Sequence, residues 1–326
     1  MKKKLLFVIG ALILTVTGCG KKMIPKLQDG KEVVASIDGY DLTAEELYEK
    51  LKETQGISIV VDKIDTTIAD KEIGESKDAD EYAKEQIKAL KAQYELYNRD
   101  FKAALSESGY KNEDELAKVI ASDYKKDLVL KNYLSSKLTD EEINDYYDKE
   151  IYGEMTVKHI LIKPEKKDGM TDTEVKEAEN KALEKAKDLI KQIKDGADFE
   201  KLAKENSDDT GTASQGGLFT NFTKDGVVEE FFDASLKLKD GEYTKEPVKT
   251  TYGYHIILKV SQNEKPKLND VIDDIKEKIV SKQLEDDKNL SMTAWDEIRK
   301  KYNMSINDSI LNDSYNKVIN TVKENS

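Results

Sequence analysis

The sequence predicts an α+β protein in which a four-stranded antiparallel sheet, covered by helices, stands between two mostly helical segments. Three observations carry this. Through residues 32–150 and 262–326, apolar side chains recur at steps of three and four on a charged background, the spacing of amphipathic helices. From Met155 the pattern changes, and runs such as Thr156–Ile162 and Tyr254–Val260 read as strands. Four helix starts are also written out, each an oxygen-bearing cap with an acid three residues on: Thr43 with Glu46, Asn112 with Glu115, Thr139 with Glu142, Thr171 with Glu174.

The chain opens with Lys2, Lys3 and Lys4, then an apolar run from Leu5 to Val16 broken only by Gly10 and Thr15, closing on Thr17-Gly18-Cys19. A run of about a dozen residues falls short of the ~20 that span a bilayer. It reads as the core of an export signal over residues 1–18, the alternative being a short anchor helix. Residues 19–31 form a polar linker. Glu32–Tyr40 reads as a short strand and turn, and Thr43 opens a helix. From Ala83, the positions Ile87, Leu90, Tyr94, Tyr97, Phe101 and Leu105 form one face of a single long helix that Gly109 stops. Asn112 opens another helix with Leu116, Val119 and Ile120 on one face, and Thr139 a third.

The sheet unit is read over residues 154–261. Pro164 ends its first strand. A long helix capped at Thr171 runs through Ile193 to Asp195-Gly196, and Phe199, Leu202 and Ala203 mark a second. A small, flexible stretch from Ser207 to Gly217 leads to a strand near Gly217–Phe222, and Val228–Leu238 returns to helical spacing. Tyr243–Thr250 is a strand interrupted by Pro247, which cannot donate to a ladder and so belongs at an edge. Tyr254–Val260 completes the sheet. Beyond Pro266, residues 268–290 form an amphipathic helix, and Trp295, Ile298 and Tyr302 lie on one face of the next. From Asn303 the pattern is too weak to assign.

Composition narrows the chemistry. Of 326 residues, 66 are Asp or Glu and 53 Lys or Arg, a net charge of −13, so no nucleic-acid partner is expected. Loss of Lys2, Lys3 and Lys4 with the signal takes −13 to −16. One Cys excludes an intramolecular disulfide or a Cys-rich metal cluster, and two His exclude a His-rich metal site. Lys163, Lys166 and Lys167 alternate with Glu165 and Asp168 and read as a solvated loop.

Both histidines, His159 and His255, fall in the sheet unit, one in its first strand and one in its last. If those strands are neighbours, two imidazoles far apart in sequence meet across a ladder at about 5 Å. The plainer alternative is a pair of core histidines that only tie the sheet together. The turn Ser207-Asp208-Asp209 ends a helix where it can face them. A Gly-rich segment beside Phe219, Phe222, Phe231 and Phe232 is what a lipped apolar pocket requires.

Lys158-His159-Ile160-Leu161, Gly196-Ala197-Asp198-Phe199 with Leu202-Ala203, Ser207-Asp208, Gly216-Gly217, Phe231-Phe232-Asp233-Ala234 and Gly253-Tyr254-His255-Ile256-Ile257 occur in an order and spacing that resembles the parvulin family of peptidyl-prolyl isomerases. The likeness covers about a third of the chain. The stretch Leu14-Thr15-Val16-Thr17-Gly18-Cys19 resembles a bacterial lipoprotein signal, and with the helical flanks the whole resembles the PrsA-type foldase lipoproteins. The resemblance implies a parvulin-type unit inserted between helical segments that pack together as a chaperone domain. It implies His159, Asp209 and His255 as catalytic residues, and Phe219, Val227 and Phe231 as the proline-ring pocket. It implies Cys19 as the site of lipid attachment, holding the protein at the extracytoplasmic face of the cell membrane through diacylglyceryl and N-acyl groups. Gly216-Gly217 is followed here by Leu218-Phe219-Thr220 where relatives read Asp-Leu-Gly. Phe narrows the pocket, and loss of the last Gly removes an easy positive φ.

Rotation about an X–Pro bond makes no bond to the enzyme, so the implied chemistry needs no metal and no cofactor. The expected partners are unfolded or partly folded exported polypeptides containing X–Pro bonds, the membrane, and in one arrangement a second copy of the chain. Two readings stand: an isomerase that accelerates folding, and a holding chaperone whose parvulin unit does not catalyse.

Overall fold

The computed structural model describes residues 26–27 and 29–324. The expected export signal and Cys19 lie outside the described residues. The chain divides into two compact units, one of residues up to Lys137 together with those from Val280 onward, the other Leu138–Ile279. No helix among the described residues is long and apolar enough to cross a membrane.

In the first unit a hairpin of β1 (Val33–Ile37) and β2 (Tyr40–Thr43) replaces the single strand and turn expected at 32–40. Thr43 then caps α1 (Ala44–Leu51) in a reciprocal box, its hydroxyl accepting from the Glu46 N–H at 3.2 Å while its own N–H donates to the Glu46 carboxylate at 2.9 Å. A π turn at Lys52–Gly56 leads directly into α2 (Ile57–Ile73). The single long helix expected from Ala83 to Leu105 is two helices, α3 (Lys77–Leu96) and α4 (Phe101–Glu107). Asn98 takes a left-handed φ of 51°, and Asp100 caps the next helix by accepting from the Lys102 and Ala103 N–H groups. Asn tolerates that region because its short polar side chain bonds locally. A periodic apolar face therefore continued across a break that Asn98 and Asp100 encode.

α5 (Glu113–Ser135), capped by Asn112, packs against both α2 and α3. From the other end of the chain, α11 (Leu290–Lys301) lies against α2 and α5, and α12 (Ser309–Glu324) against α2 and the π turn. A Cβ on Gly56 would sit 2.6 Å from Leu311 Cδ2, so glycine there permits the close approach of α12. The helical segments of the two ends thus form one body. α12 adds a helix beyond Asn303, where the sequence pattern assigns none, with Leu311 and Ile319 buried on one face. α11 contributes Arg299, whose Nε and Nη2 donate to the two oxygens of Asp65 in α2 at 2.8 and 2.6 Å. Both residues are buried.

The second unit begins with α6 (Asp140–Glu150), whose Thr139–Glu142 box is also reciprocal. It then lays down β3 (Met155–Ile162), α7 (Asp172–Lys194) and α8 (Phe199–Asn206). After these come β4 (Leu218–Phe222), α9 (Glu229–Lys237), β5 (Val248–Thr250) and β6 (Gly253–Gln262). α10 (Leu268–Asp286) follows and ends before the expected 290. The sheet is antiparallel in the order β4-β3-β6-β5. β5 is indeed an edge, but it is only three residues long; Pro247 precedes it, and Tyr243 makes a separate bridge to Leu258. One face of the sheet, with Ile160, Ile162, Tyr254 and Ile256, packs on α7 and α8; the other, with Met155, Val157 and Ile257, packs on Phe231 and Phe232 of α9.

Candidate active site

Strand alternation decides which side chains meet. β3 and β6 are the central pair, with His159 opposite Ile257 and Leu161 opposite His255. The histidines are therefore diagonal neighbours on one face, the face that carries the phenylalanines. Their ring centroids are 5.5 Å apart in a stacked arrangement, and the two Nδ1 atoms approach to 3.4 Å. Only 6% of His159 and 5% of His255 is exposed.

Asp209 comes from the turn after α8. That turn is tied to β3 on both sides: the Asp208 N–H donates to the Leu161 carbonyl at 2.7 Å, and the Leu161 N–H donates to the Ser207 hydroxyl at 3.1 Å. The register places Asp209 Oδ2 3.0 Å from His159 Nε2. The carboxylate also accepts from the Thr212 hydroxyl in a short bond and from the Gly211 N–H at 3.2 Å. On the far side, the Thr250 hydroxyl lies 3.0 Å from His255 Nε2. Thr212 and Thr250 were not anticipated. Thr250 had a readable signal, since a tight β5–β6 hairpin pairing Thr250 with Gly253 brings residue 250 beside 255. Thr212 depends on a tertiary turn that no local pattern records.

Burial pushes the His255 imidazole down to about 3, and the neighbouring His159 adds to the effect. Burial lowers His159 as well, against an opposing pull from Asp209. Burial raises the Asp209 carboxyl, but the Thr212 hydroxyl, the His159 ring and the Gly211 N–H together bring it below its ordinary value. At neutral pH the site holds two neutral imidazoles and one carboxylate. An ionised carboxylate only accepts, so His159 carries its proton on Nε2 and offers a bare Nδ1. His255 then donates from Nδ1 and accepts the Thr250 hydroxyl at Nε2. The chain of bonds runs one way, from Thr250 through both rings to Asp209.

The aromatic residues close around this chain. Phe231 meets both rings edge-on, at 5.4 Å from His159 and 5.2 Å from His255. Phe219 lies 6.3 Å from His159 and stacks on Phe222 at 5.1 Å. Phe219 and Val227 are half-buried against the same cluster. The structure thus gathers His159, Asp209, His255, Phe219 and Phe231 about one point and sets Val227 on the cluster they border.

Gly216 and Gly217 shape the approach, with φ of 71° and 79°. A Cβ on Gly217 would lie 2.2 Å from the His159 carbonyl oxygen, whereas the glycine lets the His159 N–H donate to the Gly217 carbonyl at 2.9 Å. The positive φ expected to be missed at Thr220 is taken one residue later, by Asn221 at 53°. There β4 spends one more residue than β3 between the Phe219–Val157 and Phe222–Met155 pairs. The departure from Gly at Thr220 is therefore absorbed as a bulge with Asn in the left-handed position.

Residues 143–264 match the family described as the PPIC-type PPIase domain. Foldase protein PrsA 3 of Bacillus anthracis is 33% identical over 289 residues, 88% of this chain and 87% of that protein. Foldase protein PrsA of Bacillus subtilis is 30% identical over 294 residues, 88% of this chain and 86% of that protein. The crystal structure of foldase protein PrsA from Streptococcus pneumoniae shares the fold, with a TM-score of 0.60 at 22% identity over 87% of this chain and 98% of that one. A PPIase-type sheet unit interrupting a helical body, and relatives matched along nearly the whole length, place this chain in the PrsA foldase family.

Proposed function

We propose that the protein is an extracytoplasmic, membrane-anchored foldase whose sheet unit catalyses cis–trans isomerisation of X–Pro bonds in exported polypeptides. The observation that carries this is the convergence of His159, His255 and Asp209 beside Phe219 and Phe231. Uncatalysed rotation faces about 18–20 kcal/mol because amide resonance must be broken. In this reading the half-buried Phe219 and Val227, backed by the buried Phe231, hold the proline ring while the rest of the amide turns. Asp209, 29% exposed at its side chain, is the most open of the three polar residues. Its carboxylate and the hydrogen-bond chain behind it favour the twisted amide over the planar one, which is differential binding of the transition state. Attack by Asp209 on the carbonyl is not required, since no bond to the enzyme need form.

Cys19 is the proposed point of attachment, through diacylglyceryl and N-acyl groups. At about 0.8 kcal/mol for each buried methylene, more than one acyl chain makes a lasting anchor. The substrates are unfolded or partly folded exported chains, and the helical unit is the part that holds them. The test is the isomerisation rate of a proline tetrapeptide by the full chain and its His159→Ala, His255→Ala and Asp209→Ala variants, each with a melting curve. Loss of a preorganised hydrogen-bonding group is expected to lower kcat/KM by about 10²-fold. Unchanged rates in folded variants of both histidines would defeat their catalytic assignment, and no acceleration by the full chain itself would leave a holding chaperone and no catalyst.

A further inference from the structure

Val227 stands on neither a strand nor an α-helix. It follows the short turn Lys224–Gly226, which carries the chain from β4 to α9. Among the described residues, the one backbone hydrogen bond of Thr223–Val227 closes within the segment, from the Gly226 N–H to the Thr223 carbonyl at 3.1 Å. Phe219 is fixed by the ladder to β3 and Phe231 by its helix, and Val227 has no counterpart to either.

Two ion pairs take that place. Lys224 donates to the Glu150 carboxylate at the end of α6 at 2.5 Å, and Asp225 accepts from Lys278 of α10. Tyr146, half-buried on α6, feels all four side chains: burial raises its phenol, the two lysines lower it and the two carboxylates raise it. The four charges are therefore one cluster rather than two separate contacts. α10 is itself held down by Ile275, fully buried three residues before Lys278. Both helices lie outside residues 154–261, the span expected for the sheet unit.

We infer that the pairs Lys224–Glu150 and Asp225–Lys278 position Val227 for the proline ring, so that α6 and α10 are working parts of the isomerase. The inference rests on the reading of Phe219, Val227 and Phe231 as the ring pocket. A turn without backbone ties samples several conformations, and a pocket whose wall is in place part of the time binds in proportion to that fraction. The four side chains are 28% to 68% exposed, so the contribution of each pair is modest and is screened by salt. His159, Asp209 and His255 stand on β3, the turn after α8 and β6, away from this segment. Loosening the turn therefore weakens the grip on the ring and leaves rotation of the bound amide alone, an effect that belongs in KM.

The experiment measures tetrapeptide isomerisation by the full chain. Lys224→Gln with Lys278→Gln should raise KM about threefold at unchanged kcat. Asp225→Lys, which sets a third cation against two, should raise it about fivefold, and adding Lys278→Asp should restore most of the parent value. Lys149→Gln removes the same charge from α6, where Lys149 pairs with Asp145 inside the helix, and should leave KM as it is. Parent KM should approach that of the double Lys224→Gln, Lys278→Gln variant near about 0.5 M salt. Melting curves should coincide throughout. On the same samples the peptide is titrated against the Val227 methyl resonances, identified with Val227→Ala, which gives Kd without turnover. Unchanged KM and Kd in the double variant, a fall in kcat in place of a rise in KM, or no rescue by the exchanged pair overturns the inference. If the parent binds the peptide without accelerating its isomerisation, the catalytic reading fails alone, and the Kd values decide the positioning of Val227. No binding at Val227 in the parent overturns the pocket and the inference together.

Discussion

The two units differ in how the polar groups at their centres are answered. In the helical unit buried charges meet opposite charges: Arg299 forks onto Asp65, while Asp296 receives Lys300, Lys323 and the Tyr315 hydroxyl. In the sheet unit the central buried pair, His159 and His255, is neutral, and its partners are hydroxyls, each other and one half-exposed carboxylate. A complete ion pair fixes geometry and has nothing left to offer a ligand. A neutral chain of bonds ending on an accessible carboxylate does. The comparison separates a bond that joins distant parts of the sequence from a network available for chemistry.

The sharpest way to break that comparison is Asp65→Ala. It leaves the Arg299 guanidinium buried without a partner, and loss of one member of such a pair costs about 3–5 kcal/mol. Trp295 is the only tryptophan and stands with Arg299 over its ring at 5.7 Å, so urea unfolding followed by its fluorescence reports on this unit. The double change Asp65→Leu with Arg299→Met should recover most of the loss, because it removes both desolvated charges. Tetrapeptide isomerisation should be unaffected in both. A fall in rate that tracks the stability loss would show that the buried pair supports the catalytic site after all.

In both units, what the sequence made legible is local or set by strand adjacency, and what it hid depends mostly on contacts between distant residues. The capping boxes at Thr43, Thr139 and Thr171 are reciprocal bonds within four residues, so sequence alone contains them. The pairing of His159 with His255 followed from strand adjacency, and Pro247 named the edge. Asp65 and Arg299 could not be paired from pattern, because nothing local relates residues so far apart. The break at Asn98 was hidden by an apolar spacing that the two helices share by coincidence of phase. Thr212 reaches Asp209 and His159 only because the turn after α8 is pinned to β3.

A smaller effect is expected from acid, and it probes the neutral pair itself. Burial holds both imidazoles below 6.5, His255 to about 3, so below pH 6.5 the unfolded chain binds protons that the folded one refuses. Stability is thus complete above about 6.5 and declines as pH falls, by at most about 1.4 kcal/mol per pH unit for each imidazole. The capping carboxylates Glu46, Glu142 and Glu174 are held below 4.5 by their Thr partners and join in only lower down, as does Asp209. Between pH 6.5 and 5, then, His255→Gln should flatten the slope of stability of the sheet unit. A slope that persists undiminished would mean that His255 is as easily protonated in the fold as outside it.

The smallest expected effect sharpens the reading of the pocket. Asn221 holds a φ of 53° in the bulge between Phe219 and Phe222. Glycine adopts that region freely but loses more entropy on folding, so Asn221→Gly should change stability by less than about 1 kcal/mol and leave the isomerisation rate alone. A β-branched residue has no such freedom: Asn221→Val should cost about 1–2 kcal/mol. The bulge also sets where Phe219 leaves the sheet, and its stack on Phe222 depends on it. If Phe219 grips the proline ring, Asn221→Val raises KM for the tetrapeptide more than it lowers kcat, since ring binding is disturbed while the histidine chain stays intact. The reverse split would move Phe219 from the pocket to the support of His159.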